Sequence, residues 1–226
     1  MAQTKARRPS PRPAQRKQSA AQSRRTSAAK ARRTTPRRWP VWLAAAAMLA
    51  GGAYLVSRPY LDHAVQEIAL PLRHEDVIRQ QAQEKGLDPS LIAAVIHTET
   101  HFVPRTSSAG AVGLMQITPP TAEFIARRSG GVAFEQADLA TPQINISYGA
   151  YYLRYLLRRF DANVVYGLAA YNGGEGNVEK WIAEAAERGE VFGADDIPFP
   201  ETRHYVKNVL KAQREYRTQY ARELGL

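Results

Sequence analysis

Glu99 stands in the stretch Val95–Phe102 (VIHTETHF), at a position where helical periodicity asks for a hydrophobe. Leu91, Ile92, Val95 and Ile96 form an apolar stripe, and Glu99 follows Val95 by four residues and Ile96 by three. Residues at those separations share a helix face, so this carboxyl continues the apolar side. Two effects raise the pKa of such a group. Desolvation disfavours the anion. The negative end of the helix dipole does the same in the last turn. A carboxyl that keeps its proton near neutral pH is a general acid. The same spacing also fits a frayed helix end with Glu99 in solvent, and spacing alone does not separate the two.

His97 and His101, four apart, suggest a metal pair. The zinc-protease pattern puts its glutamate directly after the first histidine. Here Glu99 comes two residues later, about 200° round the helix at 3.6 residues per turn, and no third ligand is evident. The histidines read as solvated side chains and no metal is expected. No serine elbow, phosphate loop or dinucleotide fingerprint occurs. The chain has no cysteine, which excludes disulfides, a thiolate nucleophile and Cys-ligated metals.

The elements that must position Glu99 are helical. HEDVIRQQAQEKG predicts a helix stopped by Gly86. Asp88-Pro89 is a start signal, an N-cap followed by Pro in the first turn, and predicts a helix to about Thr100. Further helices are expected over 120–128, 144–160, 163–171, 178–188 and 202 to about 224. No alternating run of strand length stands out, so residues 72–226 read as one all-α domain.

Ahead of it lie three other segments. Residues 1–38 hold 13 Lys and Arg and no acid, with no apolar period, and read as a disordered basic tail. Without it the remaining 18 basic residues are outnumbered by 21 acidic ones, so the rest of the chain carries a net charge of −3. Residues 39–57 hold an uncharged 18-residue run, WPVWLAAAAMLAGGAYLV, with Trp39, Trp42 and Tyr54 near its ends. That length and those interfacial rings fit a single transmembrane anchor. The positive charge before it predicts a cytoplasmic N-terminus and an exported domain. A cleaved signal peptide is the rival reading, and the long basic lead argues for the anchor. Residues 58–71 read as a linker or a juxtamembrane helix. The tail's charge is matched by anionic lipid headgroups, so nucleic acid is not an expected partner.

Several motifs in order resemble a known family. Glu99-Thr100-His101-Phe102, Pro104, Ser107 and Gly110–Gln116 (GAVGLMQ) resemble the first motif of the soluble-lytic-transglycosylase (SLT) catalytic domain. Asn145-Ile146 with Gly149 and Tyr152-Leu153, then Ala170–Gly174 (AYNGG), resemble its next two motifs. Ile197-Pro198-Phe199, Glu201-Thr202-Arg203 and Tyr205-Val206 resemble the closing one. The resemblance covers about residues 75–215. It implies a lysozyme-like fold and cleavage of the β-1,4 bond between N-acetylmuramic acid and N-acetylglucosamine in peptidoglycan. Glu99 would act as acid and then base, closing a 1,6-anhydro ring without water and without a cofactor. The resemblance further implies that Thr100, Ser107, Met115 and Gln116 line the sugar cleft. Tyr171 and Asn172 would sit by the reacting sugar, and Glu201 would bind substrate. Peptidoglycan strands are the implied partner, in the space outside a bacterial inner membrane. Cell-wall or secretion machinery is a further partner class. Thr100 stands where the family has Ser and Val103 where it has Asn, and the loop after Glu99 is one residue short. These departures bear on loop contacts and subsite preference rather than on the reaction.

Overall fold

The computed structural model describes residues 39–129 and 135–226, with side chains left aside at 39–40 and 62–67. The expected tail lies outside the described residues. The chain divides into two units, Met1–Gly51 and Gly52–Leu226. Helix α1 (Trp39–Ala69) carries residues of both. Within it, Val41–Leu61 is the one described segment long and apolar enough to cross a membrane. Nearly all of its side chains are exposed. The stretch expected as a linker is helical as far as Ala69 and runs through Pro59, which is the juxtamembrane-helix alternative.

The second unit continues with α2 (Glu75–Lys85), α3 (Pro89–Thr100), α4 (Pro119–Ser129), α5 (Pro142–Arg159), α6 (Val164–Gly173), α7 (Glu175–Glu187), α8 (Pro200–Gln219) and α9 (Ala221–Leu224). Local signals set several of the ends. Gly86 closes α2 in the left-handed conformation, φ 61°. The Asp88 side chain accepts from the Ser90 amide at the start of α3, and Pro89 fills the first position. Asn163 caps α6 in the same way, accepting from Tyr166.

Helix α3 is the centre of the domain. Every residue from Ser90 to Ile96 is buried, Ala93 and Ala94 included. The expected stripe is therefore only part of the picture, since a helix apolar all round has neighbours all round. Helix α8 packs along it, burying Tyr205, Val206, Val209, Ala212 and Tyr216 at three- and four-residue spacing. Each large apolar side chain buried this way contributes about 1.5–3 kcal/mol. On the other side of the core, α5 supplies Ile146, Leu153 and Leu156 against α2 and α6.

Several features depart from the sequence expectation. A two-residue hairpin pairs β1 (Arg105–Thr106) with β2 (Val112–Gly113), antiparallel. A 3-10 turn at Gln136–Ala140 leads into α5. The last predicted helix breaks at Tyr220 into α8 and α9. The junction with α1 is held by side chains from the core. Tyr216 and Tyr220 donate their hydroxyls to the carbonyls of Pro71 and Leu70, at 2.5 and 2.8 Å. His97 Nε2 lies 3.2 Å from the carbonyl of Ala69. His97 is thus half-buried against this junction, not solvated as expected, and burial lowers its pKa.

Candidate active site

Glu99 occupies the last turn of α3, at the edge of the buried core. The walls that bury α3 also shield most of this carboxyl, so the solvent-exposed alternative does not hold. Burial pushes its pKa from the usual 4.5 to about 7; the Tyr205 hydroxyl and the charge of Arg105 pull the other way. Arg105 also donates to the backbone carbonyl of Glu99, at 2.6 Å, and so caps the helix. Two successive left-handed residues, His101 (φ 52°) and Phe102 (φ 60°), turn the chain away sharply after the glutamate. The Phe102 ring, 1% exposed, anchors that turn in the core.

The segment from Ser107 to Ile117 is bound to its surroundings at many points. The Ser107 amide donates to the Ala111 carbonyl and its hydroxyl accepts from the Ala111 amide. Asn145, fully buried on α5, takes the Met115 amide on its oxygen at 2.8 Å. Its nitrogen donates to the carbonyls of Val112 and Leu139. Gly113 is dictated by this clasp: its φ is +81°, and a Cβ there would stand 2.1 Å from Asn145 Nδ2. Gly149 is needed for a similar reason, because a Cβ would meet the Met115 sulfur at 2.3 Å. The Gln116 amide nitrogen reaches the carbonyls of Arg105 and Gly113, both at 2.9 Å, and so spans the hairpin.

Tyr171, near the end of α6, donates its hydroxyl to the Met115 carbonyl at 2.8 Å. Met115 therefore has its amide held by α5 and its carbonyl by α6. Burial raises the Tyr171 pKa well above the usual value, and the Glu99 charge adds to it. Tyr205 comes from α8 and is 7% exposed. Its hydroxyl is buried and makes no well-formed hydrogen bond within the described residues. Glu99 and Tyr171 are the polar groups that act on it, and burial raises its pKa strongly. Thr202 donates to the Asn172 side-chain oxygen at 2.7 Å. Asn172, Glu201 and Phe199 line one hollow of about 370 Å³.

The structure thus gathers Glu99, Gln116, Met115 and Tyr171 around one loop and places Asn172 with Glu201 in one hollow. Two residues expected at the cleft surface are turned inward. Thr100 is 3% exposed, and its hydroxyl is bound to the carbonyls of Ile96 and Leu114. Met115 is fully buried against Gly149. Both side chains are engaged within the protein interior. Two residues gain importance. Asn145 clasps the loop, and Tyr205 faces the glutamate. A signal for Tyr205 exists in the sequence: it is a polar tip on the apolar stripe of α8, as Glu99 is on α3.

Residues 76–191 match the family model of the transglycosylase SLT domain. The chain belongs to the SLT family. This SLT chain is 35% identical over 154 residues to the soluble lytic murein transglycosylase of Escherichia coli K12, covering 67% of the chain and 24% of that relative. It is 30% identical over 194 residues to membrane-bound lytic murein transglycosylase C of Actinobacillus pleuropneumoniae serotype 5b, covering 76% and 49%. Among solved structures it is similar to an inactive glutamate-to-glutamine mutant of lytic transglycosylase Slt from Pseudomonas aeruginosa. That match has a TM-score of 0.63 and 34% identity, and covers 69% of this chain and 26% of that one. The SLT chain spans about a quarter of the length of the soluble relatives it matches. Its fold is the all-α, lysozyme-like fold of these lytic transglycosylases.

Proposed function

We propose that the chain is a membrane-anchored lytic transglycosylase that cuts peptidoglycan between N-acetylmuramic acid and N-acetylglucosamine without water. The carrying observation is the setting of Glu99: a largely shielded carboxyl with a pKa of about 7, beside the Tyr205 and Tyr171 hydroxyls. Burial raises its pKa, and the Tyr205 hydroxyl and the Arg105 charge temper the rise. Most glycosidases use two carboxyls flanking the bond. A single one with a near-neutral pKa suits a reaction in which the same group gives and then takes a proton.

In the first half, Glu99 donates its proton to the glycosidic oxygen as the C1–O bond breaks. The carbonyl of the sugar's own N-acetyl group stabilises the positive charge at C1. In the second half, the Glu99 carboxylate removes the proton of the muramyl 6-hydroxyl while that oxygen bonds to C1. The products are a strand ending in 1,6-anhydromuramic acid and a freed N-acetylglucosamine end, and Glu99 regains its proton. Ser107, Gln116, Tyr171, Asn172 and Glu201 form the surrounding cleft. Thr100 and Met115 hold its floor. The inactivity of the glutamate-to-glutamine relative supports giving the chemistry to a glutamate. The name of the membrane-bound relative supports reading α1 as an anchor, and the basic residues before it support a cytoplasmic N-terminus.

The test is mass spectrometry of wall sacculi digested with the full chain. Anhydromuramyl ends are expected. Reducing muramyl ends would show a water-using muramidase of the same fold. No cleavage would leave only a glycan-binding role, and cleavage unchanged in Glu99→Gln would overturn the assignment of the chemistry to Glu99.

A further inference from the structure

Helix α5 carries Tyr151, Arg154, Tyr155 and Arg158 at three- and four-residue spacing, so they form one stripe on its surface. With Arg159 and Arg128, in the last turn of α4, they line a cavity of about 390 Å³. Four guanidinium groups thus share one hollow in a region whose net charge is negative. Arg159 is answered by Glu175 and Glu179. Arg128 lies over the rings of Phe124 and Tyr155, at 5.2 and 5.3 Å. Arg154 and Arg158 have no carboxylate partner among the described residues, and Arg154 Nε is buried without any acceptor. A buried, charged donor without an acceptor is a costly arrangement that an incoming anion relieves.

The hollow is joined to the catalytic centre by a row of rings. Tyr171, beside Glu99, lies 5.5 Å from Tyr152; Tyr152 stacks on Tyr155 at 6.1 Å; and Tyr155 carries Arg128 at 5.3 Å. An extended peptide of five residues reaches about 17 Å, the scale of this path. The planar guanidinium fork matches the two oxygens of a carboxylate.

We propose that this arginine hollow binds the carboxylates of the peptide stems borne by the wall strand while the glycan lies at Glu99. The proposal rests on the peptidoglycan reading above. It makes the enzyme sensitive to what the sugar carries, not only to the sugar.

The test compares the full wild-type chain with Arg154→Gln/Arg158→Gln on two substrates: uncrosslinked glycan strands bearing stems, and the same strands stripped by an amidase. The expected result is an apparent KM raised about tenfold on stem-bearing strands, as for loss of one charge-assisted pair, with kcat unchanged. The two proteins should be equal on stripped strands. Equal effects on both substrates, or none on either, would overturn the proposal. Arg154→Lys/Arg158→Lys keeps the charge and loses the fork, and should fall between; it also serves if the glutamine pair does not fold. Titration of soluble stem tetrapeptide into the Glu99→Gln chain gives a readout free of turnover. Should the wild type cleave neither substrate, the catalytic reading fails, and this titration alone decides the hollow. Loss of peptide affinity on adding the arginine changes supports it, and unchanged affinity overturns it. Preference for inorganic phosphate over the peptide would overturn it in favour of a phosphate-bearing polymer or lipid.

Discussion

Replacing Glu99 with glutamine tests the central physical claim without any substrate. The carboxyl titrates near 7 in the fold against a usual 4.5. Below pH 4.5 it is protonated folded and unfolded, and the fold carries no ionisation penalty. As pH rises, the unfolded chain ionises first, so stability falls until the folded group also ionises, and levels off above pH 7. A shift of that size is worth about 3 kcal/mol at 1.36 kcal/mol per pKa unit. The glutamine variant keeps the shape and does not titrate. Its stability relative to wild type should therefore rise by about 3 kcal/mol between pH 4 and pH 8.5. For a domain of this size that is a relative gain of about 6–12 °C in Tm. The assay is thermal unfolding of both full chains in one detergent at the two pH values. The difference between the two chains cancels every other titrating group. A gap in Tm that stays constant with pH would mean that Glu99 ionises like a free side chain, and the acid–base reading would fall with it.

Tyr205→Phe removes the hydroxyl that favours the Glu99 anion, so the alkaline limb of kcat/KM should move up by about one pH unit, the scale of one hydrogen bond to a charged group; a pH–rate profile with an unmoved limb would rule the contact out. Asn145→Ala deprives the Met115 amide and two carbonyls of their partner, and should lower stability by about 3 kcal/mol while abolishing activity in the folded fraction, checked by denaturant unfolding and sacculus solubilisation. The chain has no cysteine, so single replacements report topology directly. Ser108→Cys should react with an impermeant maleimide from outside the inner membrane, and Ser10→Cys only after lysis; the reverse pattern would invert the proposed orientation.

Much of this was legible where the signal was local. Asp88-Pro89 and Gly86 announced the ends of their helices because caps act within four residues, and Glu99 was conspicuous because its apolar neighbours lie within one turn. The resemblance supplied the loop and the closing motif by position, but not what each side chain does there. Thr100 looked like a cleft residue, yet its hydroxyl is used by the carbonyl of Leu114, fourteen residues on. Asn145 and Met115 are thirty residues apart, and Tyr205 stands on another helix from Glu99, so no local pattern announces those pairs. The break at Tyr220 leaves no signal because the apolar spacing continues through it and ends at buried Leu224. The hairpin leaves no sequence signal because two residues per strand are too few to alternate.

The segment carrying Met115 is held by helices that lie far along the chain, at separations of 30 and 56 residues, and the glutamate's phenol neighbour arrives later still. A protein emerging in order from its N-terminus therefore builds the acid long before it builds the helices that hold this segment. The loop beside Glu99 takes its final shape only when the contacts from α5 and α6 close.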